Sequence, residues 1–299
     1  MFFRHSADDA VAFPSSPRSA QYADRRRSRA CPAGAAAPRG GPLGWAATAV
    51  PAESERAVPL LTVGHRGVMG VEPENTLRSF VRAEREGLDV LELDLHLSSD
   101  GELVVMHDAD VDRTTDGSGP IGGLTLAELR RLDAGRGERV PVFDEVVDAV
   151  SSPLQAEIKD RAAARVLAET IGKRDLHDRV TVISFHADAL RETREHLPEM
   201  PLVLVAGRSS PTAPERAREL GAGMVSLELR HLEAGIVERA HAAGIQVISW
   251  TVNTEAELAR ARELGLDGVV TDLPAIGQAA RRPLGGGAYG NPAPESAAS

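Results

Sequence analysis

Short apolar runs alternate with amphipathic helical patterns through most of this chain, and that alternation constrains its fold more than any other feature. The strand-like runs lie at 60–63, 90–95, 154–158, 180–185, 202–205, 224–227, 247–252 and 268–271. Between them stand segments such as ENTLRSFVRAEREG, ADALRETREHL and EAELARARELG, several closed by a glycine, the usual left-handed helix stop. Continuous apolar strands separated by helices are the pattern of a parallel sheet covered by helices. Eight such units point to a closed (β/α)8 TIM-type barrel rather than an open doubly wound sheet. No G-x-G-x-x-G comes after the first strand, which weakens a dinucleotide-binding reading further.

One interval breaks the rhythm. SSDGELVVMHD reads as a hairpin extension of the second strand, and residues 108–150 then carry turns and two short helices, LTLAELRRL and VFDEVVDAV. This interval is expected to be a small insertion after the second strand, on the face where barrel active sites form.

The ends differ in kind. Residues 1–57 are rich in Ala, Pro, Gly, Ser and Arg without apolar periodicity. Such a composition cannot bury enough surface to offset chain entropy, so a disordered tail is expected there. The barrel is expected over 58–281 and a flexible C-terminal tail over 282–299. Arg25-Arg26-Arg27 precede small residues as in an export signal, but Pro32, Pro38 and Pro42 break the stretch after them. A solid apolar block is therefore missing. A cytoplasmic location is the expectation, with export through this tail as the alternative.

Net charge and cysteine use exclude several function classes. The formal charge is −10, against the clustered basic surface that nucleic acid demands. A single cysteine, Cys31, rules out an internal disulfide framework and a multi-thiolate metal site. No run approaches a membrane span, so no stable membrane insertion is expected.

Candidate chemistry gathers at strand ends. Glu92 and Asp94 lie two apart on the second strand and so share a face. Glu157 stands at the end of the third. Three oxygen donors without a thiolate suit one hard divalent cation, Mg²⁺ or Ca²⁺; the plainer reading pairs these acids with Arg or Lys at the barrel rim. His65 ends the first strand and His107 comes after the apolar run LVVM. Two imidazoles flanking such a site form a plausible acid and base pair, since imidazole titrates near neutrality. Arg66 and Lys159 add fixed positive charge suited to phosphate. Together these parts suit phosphoryl chemistry.

The same motifs, in order, carry a family resemblance. HRG, PENT, ELDLHLSSDGELVVMHD, DRTTDGSG, EIK, WTVN and GLDGVVTDLP resemble the glycerophosphodiester phosphodiesterases from about residue 60 to 276. The resemblance implies a (β/α)8 barrel that hydrolyses a small-molecule glycerophosphodiester substrate to glycerol 3-phosphate and an alcohol with a divalent ion. It implies His65 and His107 as catalytic acid and base, Glu92, Asp94 and Glu157 as metal ligands, and Arg66 and Lys159 as phosphate contacts. Trp250 either walls the glycerol pocket or packs the core. Asn75 either hydrogen-bonds near the phosphate or caps the helix that begins at Thr76.

Some positions are read as secondary. His96, with the parity of Glu92 and Asp94, is expected to be a surface or rim histidine. Phe143, where the family often shows Leu, is read as a packing change. Ser184 and Phe185 are expected to wall the pocket, and Thr271-Asp272 to secure the turn after the last strand. Lysophospholipase D or cyclising phospholipase activity on the same barrel is the alternative, and a non-catalytic phosphate-binding barrel the alternative of another class. The oligomeric state is left open.

Overall fold

Eight parallel strands close on one another around an apolar lumen. They are β1 (Leu61–Gly64), β2 (Val90–Leu97), β4 (Leu154–Ile158), β5 (Val180–Ser184), β6 (Leu202–Ala206), β7 (Met224–Glu228), β8 (Gln246–Trp250) and β9 (Gly268–Thr271). The computed structural model describes residues 59–207 and 211–282. The expected N-terminal tail with Cys31, and all but Arg282 of the C-terminal one, lie outside the described residues. Closure comes from β1, which pairs with β2 through Val63↔Val90 and with β9 through Val63↔Val270. A ninth strand, β3 (Leu103–Val105), runs antiparallel to β2 with Leu95 opposite Val105. It forms the expected hairpin extension.

Strand parity divides the apolar residues into two sets. Val63, Val90, Ile248 and Val270 fill the lumen on one side, with Ile183, Val203 and Val205 on the other. Leu91, Leu93 and Leu95 of β2 face the other way and join the core beneath the helices. These three leucines are fully buried, and truncating one to Ala costs about 2–5 kcal/mol.

The outer layer contains α1 (Leu77–Arg85), α3 (Phe143–Ala149), α4 (Ala163–Arg174), α5 (Ala187–His196), α6 (Ala213–Glu219), α7 (Ala234–Ala242), α8 (Glu255–Glu263) and α9 (Pro274–Arg281). The short α2 (Leu126–Leu129) lies within the insertion. That insertion has its own apolar cluster of Val104, Met106, Val111, Ile121, Leu129, Ala134 and Val140. The helix at 143–149, read from sequence as part of the insertion, instead buries Phe143, Val146 and Val147 in the main core. It serves as the barrel helix that returns the chain from β2 to β4. Phe143 is fully buried there, a packing residue as expected.

The first βα connection shows how sequence sets the site. Thr76 caps α1 by accepting a hydrogen bond from the Ser79 amide. The Ser79 hydroxyl donates to the Arg66 carbonyl at 2.9 Å and accepts from the Val68 amide at 2.8 Å. Between Arg66 and Val68, Gly67 adopts φ +83, and a Cβ there would collide with the Ser79 side chain. Only glycine permits both the turn and the close approach. The segment bearing His65 and Arg66 is thereby fastened to the start of α1.

Candidate active site

The inward-facing parity of several strands delivers polar or aromatic side chains to the C-terminal mouth of the barrel. Glu92 and Asp94 arrive on β2, Glu157 on β4, and Trp250 at the end of β8, with His65, Lys159 and Phe185 just beyond their strands. Asp94 and Glu157 are direct register partners across β2 and β4. One oxygen from each of Glu92, Asp94 and Glu157 lies within 4.8 Å of the others, and all three residues are buried.

Such crowding of carboxylates is costly unless positive charge or protons enter. Lys159 Nζ stands 2.7 Å from Glu157 Oε1 and 3.1 Å from Asp94 Oδ1. Arg66 Nε lies 3.3 Å from Asp94 Oδ2, and the Asn75 amide donates to the same oxygen at 2.8 Å. Burial alone would raise the Asp94 carboxyl, but Lys159 and Arg66 outweigh it and hold it below the usual range. Glu157 has less help: burial first, and the Asp94 charge second, push it up to about 7. Burial and the charges of Asp94 and Glu157 also push Glu92 upward. Its Oε2 accepts the Arg66 amide hydrogen at 2.9 Å, whereas the buried Oε1 has no hydrogen-bond partner. Three converging acids, one with an unpartnered buried oxygen and none near a thiolate, fit a hard divalent cation.

Both candidate acid–base histidines are oriented by a carboxylate. His65 Nδ1 donates to Asp272 Oδ1 at 2.6 Å. Asp272 is fixed in turn by Asn253, whose Nδ2 donates to Asp272 Oδ2 at 2.6 Å while its Oδ1 accepts the Asp272 amide at 2.9 Å. His107 Nδ1 donates to Asp108 Oδ1 at 2.6 Å. With Nδ1 so engaged, Nε2 of each ring is the nitrogen left to exchange a proton. Burial lowers the His107 imidazole below its ordinary value.

A further chain of ion pairs surrounds Glu74. Arg66 Nη1 reaches its Oε1 at 2.8 Å, and Arg113 takes both oxygens at 2.7 and 2.8 Å. Arg113 Nε then donates to Asp108 Oδ2 at 2.6 Å. On the opposite side of the mouth, Phe185 meets Trp250 edge to face, with ring centroids 5.8 Å apart, and Lys159 Nζ lies 5.7 Å from the Phe185 centroid.

A model of the glycerophosphoryl diester phosphodiesterase family matches residues 65–276, which takes in all of these side chains. The chain belongs to that family. A glycerophosphodiester phosphodiesterase of Caldanaerobacter subterraneus subsp. tengcongensis is 31% identical over 229 residues, covering 72% of this chain and 94% of that protein. The structure of an Oleispira antarctica phosphodiesterase in complex with the product sn-glycerol-3-phosphate shares 30% identity and a TM-score of 0.70, over 75% of this chain and 96% of that one. A lysophospholipase D of Mus musculus is 27% identical over 261 residues, covering 71% of this chain and 83% of that protein.

In this glycerophosphoryl diester phosphodiesterase family member, several residues differ from their sequence reading. Asp272 does not merely secure a turn: Thr271 Oγ1 does that by accepting the Leu273 amide, while Asp272 holds His65. His96 is no rim residue; it is buried, and its Nε2 donates to the His107 carbonyl at 3.1 Å. Ser184 is fully buried and donates to the Ile158 carbonyl, leaving Phe185 as the exposed wall. Asn75 is not the helix cap, since Thr76 takes that role and Asn75 holds Asp94. Trp250 packs against the lumen residues and also meets Phe185 at the mouth. Sequence reading alone does not single out Glu74, Asp108, Arg113 or Asn253. Each lies inside one of the motifs PENT, VMHD, DRTTDGSG and WTVN, and that adjacency is the available signal.

Proposed function

We propose that this chain hydrolyses glycerophosphodiesters to glycerol 3-phosphate and an alcohol, with His65 and His107 as the acid–base pair. The observation that carries the reading is the pair of carboxylate-oriented imidazoles beside a buried three-acid cluster. Glu92, Asp94 and Glu157 would hold one divalent ion, Mg²⁺ or Ca²⁺, which supplies Lewis-acid stabilisation of charge on the phosphate oxygens. Arg66 and Lys159 line the same cluster and give the non-bridging oxygens fixed positive charge.

The chain's own groups then divide the proton work. One imidazole Nε2 accepts a proton as the new P–O bond forms, either from the attacking water or from the substrate's own glycerol hydroxyl, in which case water afterwards opens the cyclic phosphate. The other, protonated, gives its Nε2 proton to the departing alcohol oxygen as the old P–O bond breaks. Asp272 and Asp108 keep each ring in the tautomer that leaves Nε2 available.

A second reading, cleavage of lysophospholipids, is favoured by one feature. The exposed large hydrophobics among the described residues, Val71 at 38% and Phe185 at 39%, both lie on connections at the catalytic mouth. The two lie after different strands, and an acyl chain entering the mouth could cover either one. No helix among the described residues is long and apolar enough to cross a membrane.

The deciding assay is release of glycerol 3-phosphate from glycerophosphocholine and of lysophosphatidic acid from lysophosphatidylcholine, each with Mg²⁺, with Ca²⁺ and with chelator. His65→Ala and His107→Ala are expected to abolish metal-dependent turnover while the protein stays folded. Near-normal activity in either variant defeats the assigned roles.

A further inference from the structure

The small insertion does more than extend β2, because its half-exposed Arg113 reaches to two carboxylates beside the site. Its guanidinium spends every face on carboxylates. Nη1 and Nη2 take the two oxygens of Glu74, and Nε takes Asp108 Oδ2. Glu74 also accepts from Arg66, and Asp108 also accepts from His107. An unbroken series therefore runs Arg66–Glu74–Arg113–Asp108–His107, linking the cation at the carboxylate cluster to the imidazole opposite.

We propose that Arg113 is a positioning residue that sets Arg66 and His107 in fixed relation, through Glu74 and Asp108. The inference rests on the roles of His107 and Arg66 in the proposed hydrolysis.

Geometry supports it in three ways. Glu74 is only 11% exposed, so its charge needs compensation, and both its oxygens are consumed by the two guanidiniums. Their hydrogen bonds outweigh burial and keep it ionised. Among the described residues, Arg113 is the Arg or Lys within ion-pair distance of Asp108. Without it the aspartate can rotate away, and the His107 ring rotates with it. Finally, only a planar fork makes two parallel bonds to one carboxylate while a third N–H serves another. A lysine offers a single charged point and cannot make the parallel pair to Glu74.

A simple structural tether would look different. It would hold the insertion to the barrel, and its loss would lower the melting temperature without changing turnover by the folded protein.

The test uses the full chain with saturating divalent ion. Arg113→Gln is expected to lower kcat on the order of 100-fold, the cost of about an ångström of misplacement, with divalent-ion affinity by calorimetry unchanged. Asp108→Asn is expected to fall comparably, and the double variant to lie within a few-fold of the worse single, since both act through one ring. Arg113→Lys should rescue kcat only in part. Wild-type kcat in folded Arg113→Gln, or losses that multiply in the double variant, overturns the proposal. Should Arg113→Gln fail to fold, Arg113→Lys decides alone: reduced kcat supports positioning and wild-type kcat refutes it. His107→Ala separates the two levels of inference. If that variant stays active, the assignment of His107 fails; if it is inactive while Arg113→Gln is normal, only the role of Arg113 fails.

Discussion

Asp272 and His65 are separated by 207 positions in the chain, yet their side chains meet at 2.6 Å. The contact joins the residue after β9 to the residue after β1, across the seam where the barrel closes. It fixes one imidazole tautomer and gives any positive charge on that ring a partner.

Replacing Asp272 with Asn therefore changes chemistry more than fold. Asn253 can still hydrogen-bond the amide, but the ring loses its anionic acceptor. We expect kcat to fall about 100-fold or more, with melting within a few degrees of wild type. Unchanged kcat would remove Asp272 from the acid–base apparatus.

Lys159 competes with the metal it accompanies. Its ammonium lies within 3.1 Å of Asp94 and Glu157, two of the three proposed ligands. Lys159→Met should bind the divalent ion more tightly, by about tenfold or more, because a like charge a few ångströms away has gone. The same variant should turn over on the order of 100-fold more slowly, having lost a proposed phosphate contact. Calorimetry and steady-state kinetics on one sample check both; weaker ion binding would show that Lys159 helps build the cradle.

Metal-free protein should lose stability as pH rises. Glu157 releases its proton near 4.5 when unfolded but only at about 7 in the metal-free fold, because burial and Asp94 oppose its charge. Between those values the folded state holds more protons than the unfolded one, so the slope of stability with pH is negative across that window. Above it the penalty is constant. Thermal melts with chelator should show the fall, and saturating Mg²⁺ or Ca²⁺ should lessen or reverse it, since bound ligands must be deprotonated. A flat chelator series would contradict the raised carboxyl.

Phe185 offers a test of substrate class. Its ring is 39% exposed and braced edge-on by Trp250. If an acyl chain covers roughly 50 Å² of it, Phe185→Ala costs about 1.3 kcal/mol, or about tenfold in KM for a lysophospholipid. KM for glycerophosphocholine should barely move. An equal rise for both would place the ring against the glycerol moiety common to them.

The barrel is legible in the sequence because both of its periods are local. Runs such as VLELDLHL announce a strand, and strand parity alone places Glu92 and Asp94 together. Pairing at long range is not legible in that way. Nothing near His65 announces Asp272, and nothing near Glu74 announces Arg113, 39 positions on. Parity gives His96 a direction but not a depth, and the β2–β3 hairpin that covers it is a tertiary fact. The helix at 143–149 falls to the insertion on sequence grounds for the same reason: its amphipathic face shows that it packs, not against what.

The seam between β1 and β9 also sets a timetable for the growing chain. A ribosome that has released His65, the three acids and His107 has made nearly every proposed reactive group, yet the partner of the first imidazole is still unsynthesised. Translation must pass Asp272 before the ring of strands can shut and orient that histidine. Hydrolytic competence thus waits for β9, and a chain cut short before it carries the proposed reactive side chains without the means to align them.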